Sequence, residues 1–221
     1  MSILITGTGT VGVQAIRSAY EKGTEDVIAL DIAPNKKFIQ SIAGNDIIIE
    51  KGSIINLPQL MEVINKYGVK RIIHTAVVPE ENPSIYETIH TNIIGTSNIF
   101  EASRILNVER VVNCSSAGVY DFTNERPGAP VDENWPISPK NDIPYYSSKI
   151  ATEAIARNYN HKYDIKIITV RLSGNYGPSI RYNMGDKFWI YNLIKNAVEY
   201  NTIKFETVQT RYLPWTYAKD T

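Results

Sequence analysis

At 221 residues, with 43% hydrophobic and 21% charged side chains, the chain has an ordinary soluble composition and length for one α/β domain with a substantial core. Lys plus Arg and Asp plus Glu each number 23, so the formal net charge is zero. That balance, with no Lys/Arg run to suggest a basic face, argues against nucleic acid or an anionic membrane surface as partner. The single cysteine, Cys114, has no partner for an intramolecular disulfide, and its apolar neighbours Val111 and Val112 make it a buried strand thiol. Neither a leader-like start nor a membrane-length apolar run is present, so a cytoplasmic protein is expected.

Short β-branched runs alternate with helical segments, the pattern of a parallel sheet with crossover helices. Ile3-Leu4-Ile5 is the first strand and ends at Thr6-Gly7. A helix follows from about Thr10, with Val11, Ala15, Ile16 and Ala19 on one face and Gly23 to end it. Val27-Ile28-Ala29-Leu30 is the second strand, closed by Asp31, and Ile47-Ile48-Ile49 the third. Asn56 caps the next helix, Pro58 suits its first turn and Gly68 closes it. Arg71-Ile72-Ile73-His74 is the fourth strand. A long helix is expected over 84–106, with Ile85, Ile89, Ile93 and Phe100 on one side. Val111-Val112-Asn113-Cys114 is the fifth strand, ending at Ser115-Ser116; a Pro-, Asn- and Asp-rich stretch over 123–144 reads as a long functional loop. A helix begins near Tyr145 and carries Ala151, Ala154 and Ile155, a sixth strand spans 165–170 and leads to Arg171, a helix is expected over 188–200, and a short strand over 203–205.

Gly7-Thr8-Gly9-Thr10-Val11-Gly12 is a G-x-G-x-x-G between the first strand and helix. The first glycine permits the tight turn, the second a close approach of pyrophosphate to backbone, and the third close helix–strand packing. Phosphate charge would then meet unsatisfied N–H groups at the helix N-terminus. Asp31, ending the second strand, suits hydrogen bonds from adenosine ribose hydroxyls and would repel a 2′-phosphate, which favours NAD over NADP. Lys36 and Lys37 lie nearby; they would soften that preference or simply open the next segment.

Tyr145 and Lys149 are four residues apart and share a helix face. An ammonium about 4 Å from the phenol, in an intermediate dielectric, favours phenolate by on the order of 4 kcal/mol, or roughly three pKa units. That would bring a phenol of pKa about 10 to near neutrality, where general acid/base catalysis is efficient. Tyr146, one residue out of register, is the weaker alternative. Ser115 and Ser116 stand at the carboxyl end of the fifth strand, where open parallel sheets bind ligands; as an isolated pair they read first as turn residues.

In chain order these segments resemble the extended short-chain dehydrogenase/reductase family, in particular its NAD-dependent nucleotide-sugar epimerase/dehydratase branch. Thr6 to Gly12 matches the opening turn; His74-Thr75-Ala76 the strand end along the cofactor; and Asn92-Ile93-Ile94-Gly95-Thr96 with Glu101-Ala102 the long-helix motif. Ser115-Ser116-Ala117-Gly118-Val119-Tyr120 is similar to the serine segment, and Glu133, Pro136 and Pro139 to the loop before the tyrosine. Tyr145, Ser148, Lys149 and Glu153 match Y-x-x-S-K-x-x-x-E, and Arg171 with Tyr176-Gly177-Pro178 the segment that follows.

The resemblance implies a doubly wound Rossmann sheet in residues 1–175, with 176–221 beginning a substrate region. It implies Tyr145, Lys149 and Ser116 as catalytic residues. It places the cofactor on Gly7, Gly9, Thr10, Val11, Gly12, Asp31, Ile32, Ser53, Ile54, Thr75, Ala76, Val77, Asn92, Tyr145 and Lys149, and the substrate on Ser115, Ser116, Ala117 and Asn175. The activity implied is NAD-dependent epimerisation or oxidoreduction of a secondary alcohol, with a nucleotide sugar as the family substrate. Dehydrogenation of a small alcohol or ketone, and a non-catalytic NAD-binding scaffold, are the alternatives. A homodimer through the helices over 84–106 and 145–161 is the implied assembly.

The departures are specific. The first two glycines are one residue closer than is usual in the family, Ser53 stands where an acid usually meets adenine, and Gly174 holds the place of a substrate-binding Asn, with Asn175 displaced by one. Ala117-Gly118 replaces the acidic pair of 4,6-dehydratases, which argues against that activity. The chain ends at Tyr217-Ala218-Lys219-Asp220-Thr221, resembling a point where family members continue, so a truncated chain or a short member is expected. His74, His90 and His161 are too scattered for a metal site, and none is expected. Trp135, Trp189 and Trp215 are read first as core packing, with the lining of a substrate region as the alternative.

Overall fold

The computed structural model describes residues 2–24, 26–80, 84–121, 131–138, 143–178, 189–202 and 215–221. Its centre is a six-stranded parallel sheet in the order β3-β2-β1-β4-β5-β6. The strands are β1 (Ile3–Thr6), β2 (Val27–Asp31), β3 (Ile48–Lys51), β4 (Arg71–His74), β5 (Arg110–Ser116) and β6 (Ile167–Leu172). Strand order reverses beside β1, the point at whose carboxyl edge open parallel sheets bind their ligands.

At the centre of the sheet both faces are buried, so β1 and β2 are almost wholly apolar and their alternation divides the core in two. Ile3 and Ile5 face one way and pack with Val27, Ala29, Ile16, Ala19 and Ile39, beneath α1 (Thr10–Glu21) and α2 (Lys36–Ala43). Leu4 faces the other way and packs with Ile28, Leu30, Ile72, Ile99, Phe100 and Ala156, beneath α3 (Leu57–Lys66), α5 (Thr96–Ile105) and α6 (Pro144–Tyr163). The short α4 (Ile85–Thr88) leads into α5. Beyond the main sheet, β7 (Gly174–Tyr176) pairs in parallel with β8 (Trp215–Tyr217), and α7 (Trp189–Tyr200) lies between them in sequence.

The expected caps form. The Asn56 side chain accepts from the Gln59 N–H at 3.1 Å with Pro58 in the first turn, and α1 and α3 stop just before Gly23 and Gly68. Several expectations need correction. The helix α2 was not anticipated; Lys36 and Lys37 open it, and Asn35 caps it by accepting from the Phe38 N–H at 3.1 Å. The third and sixth strands run over 48–51 and 167–172 rather than 47–49 and 165–170, so Arg171 lies inside a strand.

The long helix over 84–106 is interrupted by a π-helical stretch at Ile89–Gly95, which changes the register of its faces. Ile85 and Ile89 are 59% and 45% exposed rather than inward, and the inward side is Thr88, Asn92, Gly95, Thr96, Ile99 and Phe100. The expected strand over 203–205 and most of the loop over 123–144 lie outside the described residues.

Candidate active site

The turn after β1 has the shape its glycines allow. Gly7 has φ +83, and its N–H donates to the Leu30 carbonyl at 2.8 Å. A Cβ on Gly7 would lie 2.6 Å from the Ala76 backbone, and one on Gly12 would strike the Gly7 carbonyl oxygen. Gly9 is the opposite case: nothing stands within 4 Å of where its Cβ would be. That open space belongs to a cleft of about 860 Å³ walled by residues 7–12, by Asp31 and Ile32, by Gly52 to Ile55, and by Thr75 to Glu80. Gly9 also caps α1 without any side-chain hydrogen bond, which leaves first-turn N–H groups for a ligand. Size, bare backbone and helix terminus fit the pyrophosphate of a dinucleotide. Asp31 lines the same cleft, with its carboxylate fixed by the Thr8 N–H, the Thr8 hydroxyl and the Ala33 N–H. Ser53 and Ile54 lie beside it, and the Ser53 hydroxyl accepts from the Ile55 N–H at 3.2 Å.

At the other end of the same cleft stand Ser116, Ala117, Gly118, Tyr145 and Tyr146. Residues alternate along β5, so Ser116 faces the cleft while Ser115 turns inward and donates to Glu153 Oε1 at 2.6 Å. Ser116 begins a 3₁₀ turn (Ala117–Val119) by accepting from the Gly118 N–H at 3.1 Å. Lys149 is buried beneath, donating to the Cys114 carbonyl at 2.7 Å, with Nζ 5.5 Å from the centre of the Tyr145 ring. A cation held at that range favours the Tyr145 phenolate, the direction expected from the sequence. Burial lowers Lys149 itself from 10.5 to about 8, against the opposing pull of Cys114 and Glu153.

The sequence-derived residues separate into those on the cleft wall and those behind it. Gly7, Gly9, Thr10, Val11, Gly12, Asp31, Ile32, Ser53, Ile54, Thr75, Ala76, Val77, Ser116, Ala117, Asn175 and Tyr145 line it. Asn92, Ser115 and Lys149 do not. The Asn92 amide is fully engaged: its oxygen accepts from the Val78 N–H, and its nitrogen donates to the Val78 carbonyl and to Ser148 Oγ. Ser148 in turn donates to the Tyr145 carbonyl at 2.6 Å, so Asn92 ties the 75–80 wall to the turn carrying Tyr145. Behind Ser115, Glu153 also accepts from Arg171 at 2.8 Å, and Arg171 reaches on to the Glu133 carbonyl at 3.1 Å and lies 4.7 Å over the Tyr120 ring.

Some wall residues escaped the sequence reading. Tyr146 lies on Gly118, where any Cβ would collide with its ring, and donates to Glu80 at 2.6 Å. Only the Tyr145-Tyr146 doublet hinted at this. Glu87, Thr91 and Tyr191 complete the wall with Trp215, which packs on Gly174. Trp135 is held by donating to the Asp121 carbonyl at 2.8 Å. His74 is buried between the Thr6 and Thr96 hydroxyls, and burial with the Lys149 charge lowers it to about 3, so it stays neutral. Burial likewise raises Cys114 to about 11, an unreactive thiol. Among the described residues, no group of three His, Cys, Asp or Glu is placed to hold a metal, and no helix is long and apolar enough to cross a membrane.

The family model described as "NAD dependent epimerase/dehydratase family" matches residues 3–221. The chain belongs to this family. The resemblance read from the motifs and the doubly wound fold are both borne out. Members with similar sequences include a UDP-glucuronate 4-epimerase of Thermodesulfobacterium geofontis, 26% identical and covering 99% of this chain and 63% of the epimerase. A decarboxylating sterol-4-alpha-carboxylate 3-dehydrogenase of Schizosaccharomyces pombe is 28% identical, covering 81% of this chain and 52% of that protein. Among solved structures of the epimerase/dehydratase fold, a dTDP-glucose 4,6-dehydratase of Bacillus anthracis in complex with NAD superposes with a TM-score of 0.82 at 25% identity, covering 99% of this chain and 68% of that one. The chain spans about half to two thirds of the length of these curated relatives.

Proposed function

We propose that the chain binds NAD along the glycine-turn cleft and acts as an epimerase or oxidoreductase on a secondary alcohol of a nucleotide sugar. The observation that carries this reading is that the bare glycine turn, Asp31, Ser116 and Tyr145 all wall one cleft, with Lys149 buried beneath the tyrosine. Gly9 and the first turn of α1 would hold the pyrophosphate, and Asp31 the adenosine ribose. NAD, when bound, supplies a hydride acceptor at the carbon bearing the substrate hydroxyl. Tyr145 takes the proton from that hydroxyl and returns it in the reverse direction. Lys149, positively charged below about pH 8, favours the phenolate. Ser116 donates a hydrogen bond to the same substrate oxygen and holds it against Tyr145. In this reading, residues from 176 onward begin the substrate region, and Asn175, Tyr191 and Trp215 belong to its wall.

A second reading, dehydrogenation of a non-sugar hydroxyl, draws support from the sterol dehydrogenase relative. One assay separates them: incubation with NAD and a panel of UDP- and dTDP-sugars and small secondary alcohols, following both absorbance at 340 nm and product stereochemistry. Epimerisation inverts a hydroxyl with no net NADH, whereas dehydrogenation accumulates NADH. No turnover of any kind, with NAD bound, would leave the scaffold reading and refute catalysis. The same proposal includes a homodimer through α5 and α6, supported by the exposed Ile105 and Tyr163 on those helices. Sedimentation of a monomer at micromolar concentration would contradict it.

A further inference from the structure

Three hydrogen bonds fix the Asp31 carboxylate before any ligand arrives. Oδ2 accepts from the Thr8 N–H at 2.7 Å and from the Thr8 hydroxyl at 2.9 Å, and Oδ1 accepts from the Ala33 N–H at 2.9 Å. A carboxylate offers about four lone-pair sites. Thr8 therefore fills both sites of Oδ2, and Oδ1 keeps one, on the group that lines the cleft. Thr8 itself is 1% exposed, so its hydroxyl is withdrawn from solvent and committed to this contact. The surroundings pull the other way. Lys51 is the ladder partner of Asp31, and Lys36 and Lys37 open α2 at the same sheet edge, all three exposed. Such cations would welcome a 2′-phosphate if the Asp31 charge could swing aside.

We infer that Thr8 is the positioning residue for cofactor selectivity: its hydroxyl locks the Asp31 charge where a 2′-phosphate would sit, and so makes the site select NAD over NADP despite its lysines. This rests on the reading of the cleft as a dinucleotide site. Thr8 touches neither reacting atoms nor substrate; it acts through Asp31.

The test measures dissociation constants for NADH and NADPH by fluorescence titration on the wild type and on Thr8→Val, Thr8→Ala and Thr8→Ser, with circular dichroism to verify folding. The wild type should prefer NADH. Thr8→Val and Thr8→Ala should weaken NADH on the order of tenfold, the size expected for one hydrogen bond to a charged group. NADPH should be unchanged or tighter, so the preference collapses. Thr8→Ser, which keeps the hydroxyl, should retain the wild-type ratio. Equal losses for both dinucleotides, or an unchanged ratio in the folded Val and Ala variants, would overturn the inference alone. A wild type that binds neither dinucleotide would overturn the cofactor reading along with it.

Discussion

Replacing Glu153 by Gln removes one charge and almost no volume from the buried cluster behind β5. Glu153 is 4% exposed and takes hydrogen bonds from Ser115 at 2.6 Å and from Arg171 at 2.8 and 3.1 Å. The substitution leaves the Arg171 guanidinium, in a side chain 15% exposed, without its counter-charge. Breaking such a pair costs about 3–5 kcal/mol. Arg171 keeps the Glu133 carbonyl and the Tyr120 face, which places the expected loss near the lower end, about 3 kcal/mol. For a chain of 221 residues that is a fall of about 6 °C in Tm. Burial raises the Glu153 carboxyl, but the Arg171 and Ser115 hydrogen bonds outweigh it, and the group ends below its ordinary 4.5. A depressed acid stabilises the fold above its unfolded value, and that contribution disappears as pH falls through the folded value. Urea unfolding at pH 7 should therefore show the 3 kcal/mol gap between wild type and Glu153→Gln, and the gap should shrink as the wild type is taken below about pH 4. The double variant Glu153→Leu with Arg171→Met should recover much of the loss, because no charge is left buried. A Glu153→Gln protein within about 1 kcal/mol of wild type would refute the reasoning.

Two further outcomes follow from the same geometry. Gly9→Val should abolish measurable NAD binding while leaving Tm nearly unchanged, since its side chain enters only the cleft; Gly12→Ala should destabilise the fold by about 2 kcal/mol or more, because its methyl meets the Gly7 carbonyl. Calorimetry and thermal melts on the two variants should give opposite patterns, and similar patterns would contradict the assignment. Turnover should decline above about pH 8, where Lys149 loses the charge that favours phenolate; a rate still flat at pH 9.5 would remove Lys149 from that role.

How much of this could be read beforehand depends on where side chains point. The strands were visible because a parallel sheet buried on both faces needs unbroken apolar runs such as Ile3-Leu4-Ile5 and Val27-Ile28-Ala29-Leu30. The Gly7–Gly12 turn and Asp31 were visible because their chemistry is local in sequence, and Tyr145 and Lys149 because a helix brings i and i+4 together. The inner face of α6 was legible only through the family motif, which names Ser148, Lys149 and Glu153; with Thr152 and Ala156 it is a mostly polar face satisfied by distant partners. Hydrophobic periodicity says nothing about such a face. The π stretch at Ile89–Gly95 hid for a similar reason, since the Asn92 amide it turns inward is held by Val78 and Ser148, neither adjacent in sequence. Tyr146 over Gly118, with Glu80 at its hydroxyl, is a contact between three segments that only the folded chain brings together.

The central claim is that Tyr145 transfers the substrate proton in an NAD-binding cleft, and Tyr145→Phe tests it most directly. With a substrate identified from the nucleotide-sugar and alcohol panel, the variant should bind NAD as the wild type does by calorimetry and lose turnover by a factor of roughly 10² or more. A Tyr145→Phe protein that binds NAD and turns over at the wild-type rate would contradict the account.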